Sequence, residues 1–226
     1  MRILSVGRPL AHQSIDNHTI CNAPAFSDFD AVVIDPAGIV EVVEDIVKSY
    51  NLDKNGVYLL DAPTGSGKSL IGILFSAFMS SRGKKGYILT SDISLHDQYS
   101  RDFSKYGLLN WGQIKGVDNY SCSLNSEKFS IGECKNKGLN YQEAEKLNCY
   151  GACGYFQSRK KAIASDVALL TYSYGLIQRN YVEDKSQNGS AFEKRDFVVC
   201  DEAHKVVDIV QSHFSPKLSA KTADNL

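Results

Sequence analysis

The chain has 226 residues, 43% hydrophobic and 23% charged, and its 25 basic and 26 acidic side chains leave a formal net charge of −1. That is enough for one large or two small globular domains with a real core, and it excludes a chain that is basic throughout, although a local basic face can hide inside the balanced total. The longest strongly apolar run, "LIGILFSAFM" at 70–79, is about half a bilayer span, and Met1 opens no signal pattern, so an intracellular protein, cytoplasmic or nucleoid-associated, is expected.

Taken in order, "ILSV" is a short apolar stretch, "FDAVVID" (29–35) predicts a strand, and "PAGIVEVVEDIVKSY" (36–50) predicts a helix with Pro36 in an early position. "NGVYLLDAP" (55–63) predicts a strand, a Gly-rich loop follows, and "KSLIGILFSAFMSSR" (68–82) predicts a buried helix that stops at Gly83. "KGYILTS" predicts a strand and "LHDQYSRDF" a short helix. From about 107 to 155 the pattern dissolves into Gly, Asn, Lys and cysteines, with no regular element expected. "YFQSRKKAIAS" then predicts a helix, "DVALLTYS" a strand, and "RDFVVCDEAH" a strand that ends in acids. Strands alternating with helices imply an α/β fold: a mostly parallel sheet with helices on both faces and ligands at the carboxyl ends of its strands, with the cysteine segment as a small insertion.

The loop Ala62-Pro63-Thr64-Gly65-Ser66-Gly67-Lys68-Ser69 fits the phosphate-binding P-loop pattern, except that Ala62 stands for its first glycine. Gly65 and Gly67 permit the curled backbone whose N–H groups converge on one phosphate. Lys68 brings a point charge to the β and γ phosphates of ATP. Ser69 would hold Mg²⁺ through its hydroxyl, and the helix beginning near Lys68 turns its positive end to the same anion. Hydrolysis also needs a carboxylate for Mg²⁺ and a group to orient water. In "FVVCDEAH" these are Asp201, at a strand end, and Glu202. A solvated turn would be the ordinary reading of an isolated Asp-Glu pair; the apolar run before it and the P-loop elsewhere in the chain reverse that.

Four of the six cysteines, Cys122, Cys134, Cys149 and Cys153, fall within 32 residues, whereas Cys21 and Cys200 stand alone. In a reducing compartment such a cluster suggests metal ligands rather than disulfides. Its spacings of eleven, fourteen and three intervening residues contain no Cys-x2-Cys knuckle, and by themselves they leave zinc and an iron–sulfur cluster equally open. Between 101 and 161 there are ten basic and six acidic residues, a local net of +4, interleaved with Tyr106, Trp111, Tyr120, Tyr141, Tyr150, Tyr155 and Phe156. Such a segment can track a phosphate backbone and stack bases, although any single ring is more readily a core residue around the cluster. Lys115, Tyr120, Arg159 and Lys160 are the candidate DNA contacts.

"APTGSGKS" and "DEAH" together resemble motifs I and II of superfamily 2 helicases, and the four-cysteine insertion between them resembles that of the XPD/DinG-type iron–sulfur DNA helicases. "YILTSDISLHDQYSRDF" is similar to the motif Ia region, "IKGVDNYSC" to the phrase that introduces the first cluster ligand, and "CGYFQSRKKAIASDVALLTYSYGL" to the stretch after the last. The resemblance covers roughly 50 to 215. It implies a RecA-like P-loop motor domain over 51–107 and 156–226, interrupted by an iron–sulfur domain over 108–155 whose [4Fe-4S] cluster is held by the four cysteines. It also implies ATP-driven 5′ to 3′ movement on single-stranded DNA, with Thr90 facing the nucleic-acid backbone and His204 linking the nucleotide site to the rest of the motor. Residues 1–50 show no convincing version of the family's entry motif and have no assigned role. On this resemblance the second motor domain is missing from the chain, so weak nucleotide binding and negligible unwinding are expected of these residues alone. The rival expectation is a non-catalytic module that binds nucleotide and DNA, with a structural zinc in the insertion.

Overall fold

The computed structural model describes residues 2–5, 38–52, 56–61, 67–107, 110–139, 141–177, 192 and 194–215. The strand expected over 29–35 and the first five residues of the Gly-rich loop, 62–66, lie outside them.

Strand β1 (Arg2–Ser5) pairs in parallel with β2 (Tyr58–Asp61) as a two-stranded sheet, Arg2 opposite Tyr58 and Ser5 opposite Asp61. Helix α1 (Ile39–Leu52) lies between them in the chain. It buries Ile39, Val43 and Val47, a single stripe at i, i+4 and i+8, and leaves Glu44, Asp45 and Lys48 on the outer side. Helix α2 (Lys68–Ser81) follows β2 and is buried at every position from Ile71 to Met79, as its continuous apolar sequence predicts. It ends in a Schellman turn: Gly83 (φ 71°) donates its N–H to Ser80 O at 2.9 Å, and Lys84 donates to Met79 O at 3.0 Å.

The main sheet has the order β4-β5-β3-β6 and is parallel throughout. Its members are β3 (Gly86–Thr90), β4 (Trp111–Ile114), β5 (Val167–Thr171) and β6 (Phe197–Cys200). Helix α3 (Ile93–Tyr106) joins β3 to β4. Asp92 caps it by accepting the N–H of Leu95 at 2.9 Å, and it buries His96, Tyr99 and Phe103. After β4 come two one-turn helices, α4 (Glu133–Asn136) and α5 (Tyr141–Ala144), then α6 (Gly154–Ala164) before β5. Helix α7 (Tyr172–Ile177) leaves β5, and α8 (Val206–Phe214) follows β6.

All five residues of β5 are buried, so the sheet is covered on both faces. Val167 and Leu169 join the core formed with α1, α2 and α3, whereas Ala168 and Leu170 join a second core with α6, Tyr174 and Phe192. That second core contains the aromatics of the cysteine segment: Phe129 stacks on Tyr155 at 4.4 Å between centroids, and Tyr120 meets Tyr155 edge-on at 5.5 Å. Arg195 ties the layers together at the N-terminal end of the sheet. Its guanidinium donates to the carbonyls of Gly86, Asp166, Ala162 and Ile163 at 3.0–3.2 Å and lies over Tyr87.

The expected α/β class, parallel sheet and two helical layers are present. One element differs. Trp111–Ile114, placed by the sequence inside an insertion without regular structure, is an edge strand of the main sheet, paired with β5 from Trp111 opposite Val167 to Ile114 opposite Leu170. "WGQI" has little intrinsic strand signal; its partner strand and the close approach of α6 make it one.

His96, fully buried between α3 and the sheet, has neither ring nitrogen in a full hydrogen bond, with only weak support from the backbone of Leu169 and Ile114. Burial, and next the Lys115 ammonium, lower its pKa to about 4, with Asp97 opposing. An unfolded histidine titrates near 6.5, so this contribution is complete above that pH and is lost progressively as pH falls towards 4. The full loss is on the order of 3 kcal/mol. Urea midpoints measured from pH 7.5 to 4.5 are expected to fall for the native chain and to fall less for His96→Leu; parallel curves would remove His96 as the cause.

Candidate functional site

The carboxyl ends of β3 and β6 and the start of α2 meet at one place. β6 leads directly into Asp201, whose N–H donates to Leu89 O on β3 at 3.0 Å. Asp201 is 9% exposed and each of its polar atoms is engaged. Oδ1 accepts the N–H of Glu202 at 2.9 Å, Oδ2 accepts the Tyr99 hydroxyl at 2.9 Å, and the carbonyl accepts the Tyr172 hydroxyl at 2.9 Å. Burial pushes both phenols up, with the Asp201 carboxylate next for Tyr99 and the Cys200 side chain, then Asp201, next for Tyr172, so both act as donors.

Across from Asp201 stands the first turn of α2. Ser69 Oγ lies 3.4 Å from Asp201 Oδ2, and Lys68 Nζ lies 3.8 Å from Glu202 Oε1. Gly67, which caps α2 at φ 84° and ψ 23°, is in the left-handed region, where a side chain would be strained; a Cβ there would also come within 2.7 Å of Ile39 Cδ1. Glu202 has φ 53° and ψ 45°, a conformation that costs a non-glycine residue roughly 1–2 kcal/mol. It sets the carboxylate between Lys68 and His204, whose Nδ1 is 3.3 Å from Oε2. Lys205 reaches the start of α3, 3.6 Å from Asp92 Oδ2 and 3.4 Å from Ser91 Oγ.

Thus Gly67, Lys68, Ser69, Asp201, Glu202 and His204 converge, while Ala62, Pro63, Thr64, Gly65 and Ser66 fall outside the described residues. Ser69 and Asp201 offer two hard oxygen donors side by side, the donor type that Mg²⁺ takes. Sequence reasoning missed Tyr99 and Tyr172. Tyr99 sits on the apolar stripe of α3 with His96 and Phe103 and reads as an ordinary core residue.

The candidate DNA contacts are placed differently. Thr90 is fully buried at the carboxyl end of the central strand β3, its hydroxyl 3.4 Å from the carbonyls of Leu170 and Asp92. Tyr120 is packed against Tyr155, and its hydroxyl oxygen accepts the N–H of Lys115 at 3.0 Å. Lys115 is paired with Asp97, and Arg159 lies over Phe192 at 5.8 Å. Lys160 is exposed.

Of the cysteines, Cys122, Cys134 and Cys153 are buried and Cys149 is half-buried. Backbone N–H groups, first that of Leu124 and then those of Glu133 and Asn125, hold the Cys122 thiol below its ordinary pKa. Cys134 and Cys149 both line a hollow of about 230 Å³ with Leu124, Glu133, Lys137, Leu147 and Asn148. Among the described residues, however, no three His, Cys, Asp or Glu side chains converge as a metal would require, so the four thiols are not assembled into a ligand set. No described helix is long and apolar enough to cross a membrane.

The chain is similar to an archaeal protein from Methanocaldococcus jannaschii described as a probable ATP-dependent helicase, 24% identical over 190 residues, which are 74% of this chain and 28% of that protein. A solved structure described as truncated XPD aligns with a TM-score of 0.44 at 22% identity, over 77% of this chain and 54% of that one. The chain therefore spans less than a third of the archaeal relative and about half of the solved chain. A family model matches residues 39–219, from α1 through α8, and by that match the chain belongs to the family of helicase-like motor domains described as Type III restriction enzyme, res subunit.

Proposed function

We propose that this chain binds ATP and Mg²⁺ at the carboxyl ends of its strands and serves as the first, RecA-like motor domain of a DNA helicase of the iron–sulfur type, moving 5′ to 3′ on single-stranded DNA. The observation that carries the reading is the meeting of Ser69 with Asp201 and of Lys68 with Glu202, residues more than 130 positions apart. Residues 62–69 would wrap the phosphates, Lys68 would neutralise charge on the γ-phosphate, and Glu202 would orient the attacking water. Ser69 and Asp201 would hold Mg²⁺, which supplies neutralisation of the developing phosphate charge. His204, against Glu202, would pass the state of the site outward, and Lys205 would carry it to the start of α3.

The motor would comprise 51–114 and 156–226, with the insertion between them. Cys122, Cys134, Cys149 and Cys153, which are not gathered into a ligand set in this structure, would have to close together to hold the cluster; their donor type suits it, and no step of hydrolysis passes through it. Lys115, Arg159 and exposed Lys160 would be DNA contacts, and the basic segment also exposes Lys128 and Lys146.

Two measurements on the purified chain test this together. A fluorescent ATP analogue should bind weakly and in a Mg²⁺-dependent manner, and metal analysis should find about four irons per chain with broad brown absorbance. Colourless protein with about one zinc would replace the cluster by a structural zinc. Absence of nucleotide binding would remove the motor reading.

A further inference from the structure

We infer that Tyr99 is a positioning residue for the Asp201 carboxylate, and that Gly72 on α2 is the space that lets its hydroxyl reach that carboxylate. The inference rests on the reading of Asp201 as a Mg²⁺ ligand. Tyr99 is 1% exposed and packs its ring at 5.9 Å from Phe103, a role that phenylalanine would fill equally well. Its hydroxyl has another use: it donates to Asp201 Oδ2 at 2.9 Å, the same oxygen that stands 3.4 Å from Ser69 Oγ. With Glu202 N–H on Oδ1, two donors from different elements fix the plane of the carboxylate and leave it lone pairs for a cation. Ligand carboxylates held in this way by hydrogen bonds from behind bind metal more tightly, because they need no reorientation on binding.

Gly72 supplies an independent sign. It lies within the buried run of α2, where glycine is the poorest helix former after proline. A Cβ there would come within 3.0 Å of the Tyr99 hydroxyl and 3.3 Å of Val199 Cγ1. The missing methyl is the room that the hydroxyl occupies, so α2, α3 and the end of β6 are fitted to one another around this single hydrogen bond.

The test is a Mg²⁺ titration of fluorescent ATP-analogue binding, with parallel binding in EDTA. Tyr99→Phe should raise the half-saturating Mg²⁺ roughly tenfold while leaving affinity in EDTA unchanged. Gly72→Ala should shift the titration in the same direction, and adding it to Tyr99→Phe should shift it little further, because the hydroxyl, the nearer of the two atoms it presses on, is gone. A Tyr99→Phe titration that overlays the native one overturns the inference, as does an equal loss of affinity in EDTA, which would mark a structural role alone. If Tyr99→Phe does not fold, Gly72→Ala decides: an unmoved Mg²⁺ titration there overturns it. A native chain whose nucleotide binding ignores Mg²⁺ overturns both this inference and the assignment of Asp201.

Discussion

Lys68→Ala is expected to lower ATP turnover by roughly 10²–10³-fold or more in the protein as the cell makes it, because it removes a positioned charge from the site where negative charge builds up on the γ-phosphate. Lys68 is the first residue of α2, so alanine keeps the helix start and Gly67 keeps its turn. The change also strips Glu202 of a cation 3.8 Å away, which leaves that carboxylate facing the phosphates without a partner on this side. Nucleotide affinity should therefore fall along with turnover, whereas the thermal unfolding of the chain should stay as it was. Turnover within a few-fold of the native value would take Lys68 out of the reaction.

Glu202→Gln should separate binding from chemistry. The amide keeps the size of the side chain and the left-handed backbone but gives up the base, so hydrolysis should drop by roughly 10²–10⁴-fold with ATP affinity held or raised. Affinity has reason to rise, since a negative charge beside the phosphates is removed while Lys68, Ser69 and Asp201 remain. The protein would accumulate with ATP bound and uncleaved, read directly by recovering the nucleotide after gel filtration. If affinity and turnover fell together, Glu202 would be holding the site's shape. If neither changed, the chain would be a nucleotide-binding module with no hydrolytic step.

Much of the architecture was legible because the local signals were strong. The run from Leu70 to Met79 is apolar almost throughout and long enough for a buried helix, and "GYILT" and "VALLT" are apolar runs of strand length bounded by polar turns. The same reading failed at Trp111–Ile114, where four residues including a glycine carry no strand pattern and pairing with β5 decides the matter. The burial of Thr90 was not legible either, since a threonine at a strand end looks the same whether the strand is central or at an edge. Tyr120 belonged with the bland expectation: its ring is core to the insertion, packed on Tyr155.

By itself the sequence determined which chemistry was on hand, because phosphate-binding and acid residues carry their meaning in short local patterns: Gly67-Lys68-Ser69 at a helix start and Asp201-Glu202 after an apolar strand. It determined equally that four thiols share one short segment. Only the tertiary structure decided that the first two patterns meet, through the parallel register that sets Cys200 beside Leu89 and so brings Asp201 to the helix start of α2. The tertiary structure also gave the Tyr99 hydroxyl its partner, since a hydrogen bond between residues 102 positions apart depends on how three elements pack and leaves no trace in the spacing of either residue.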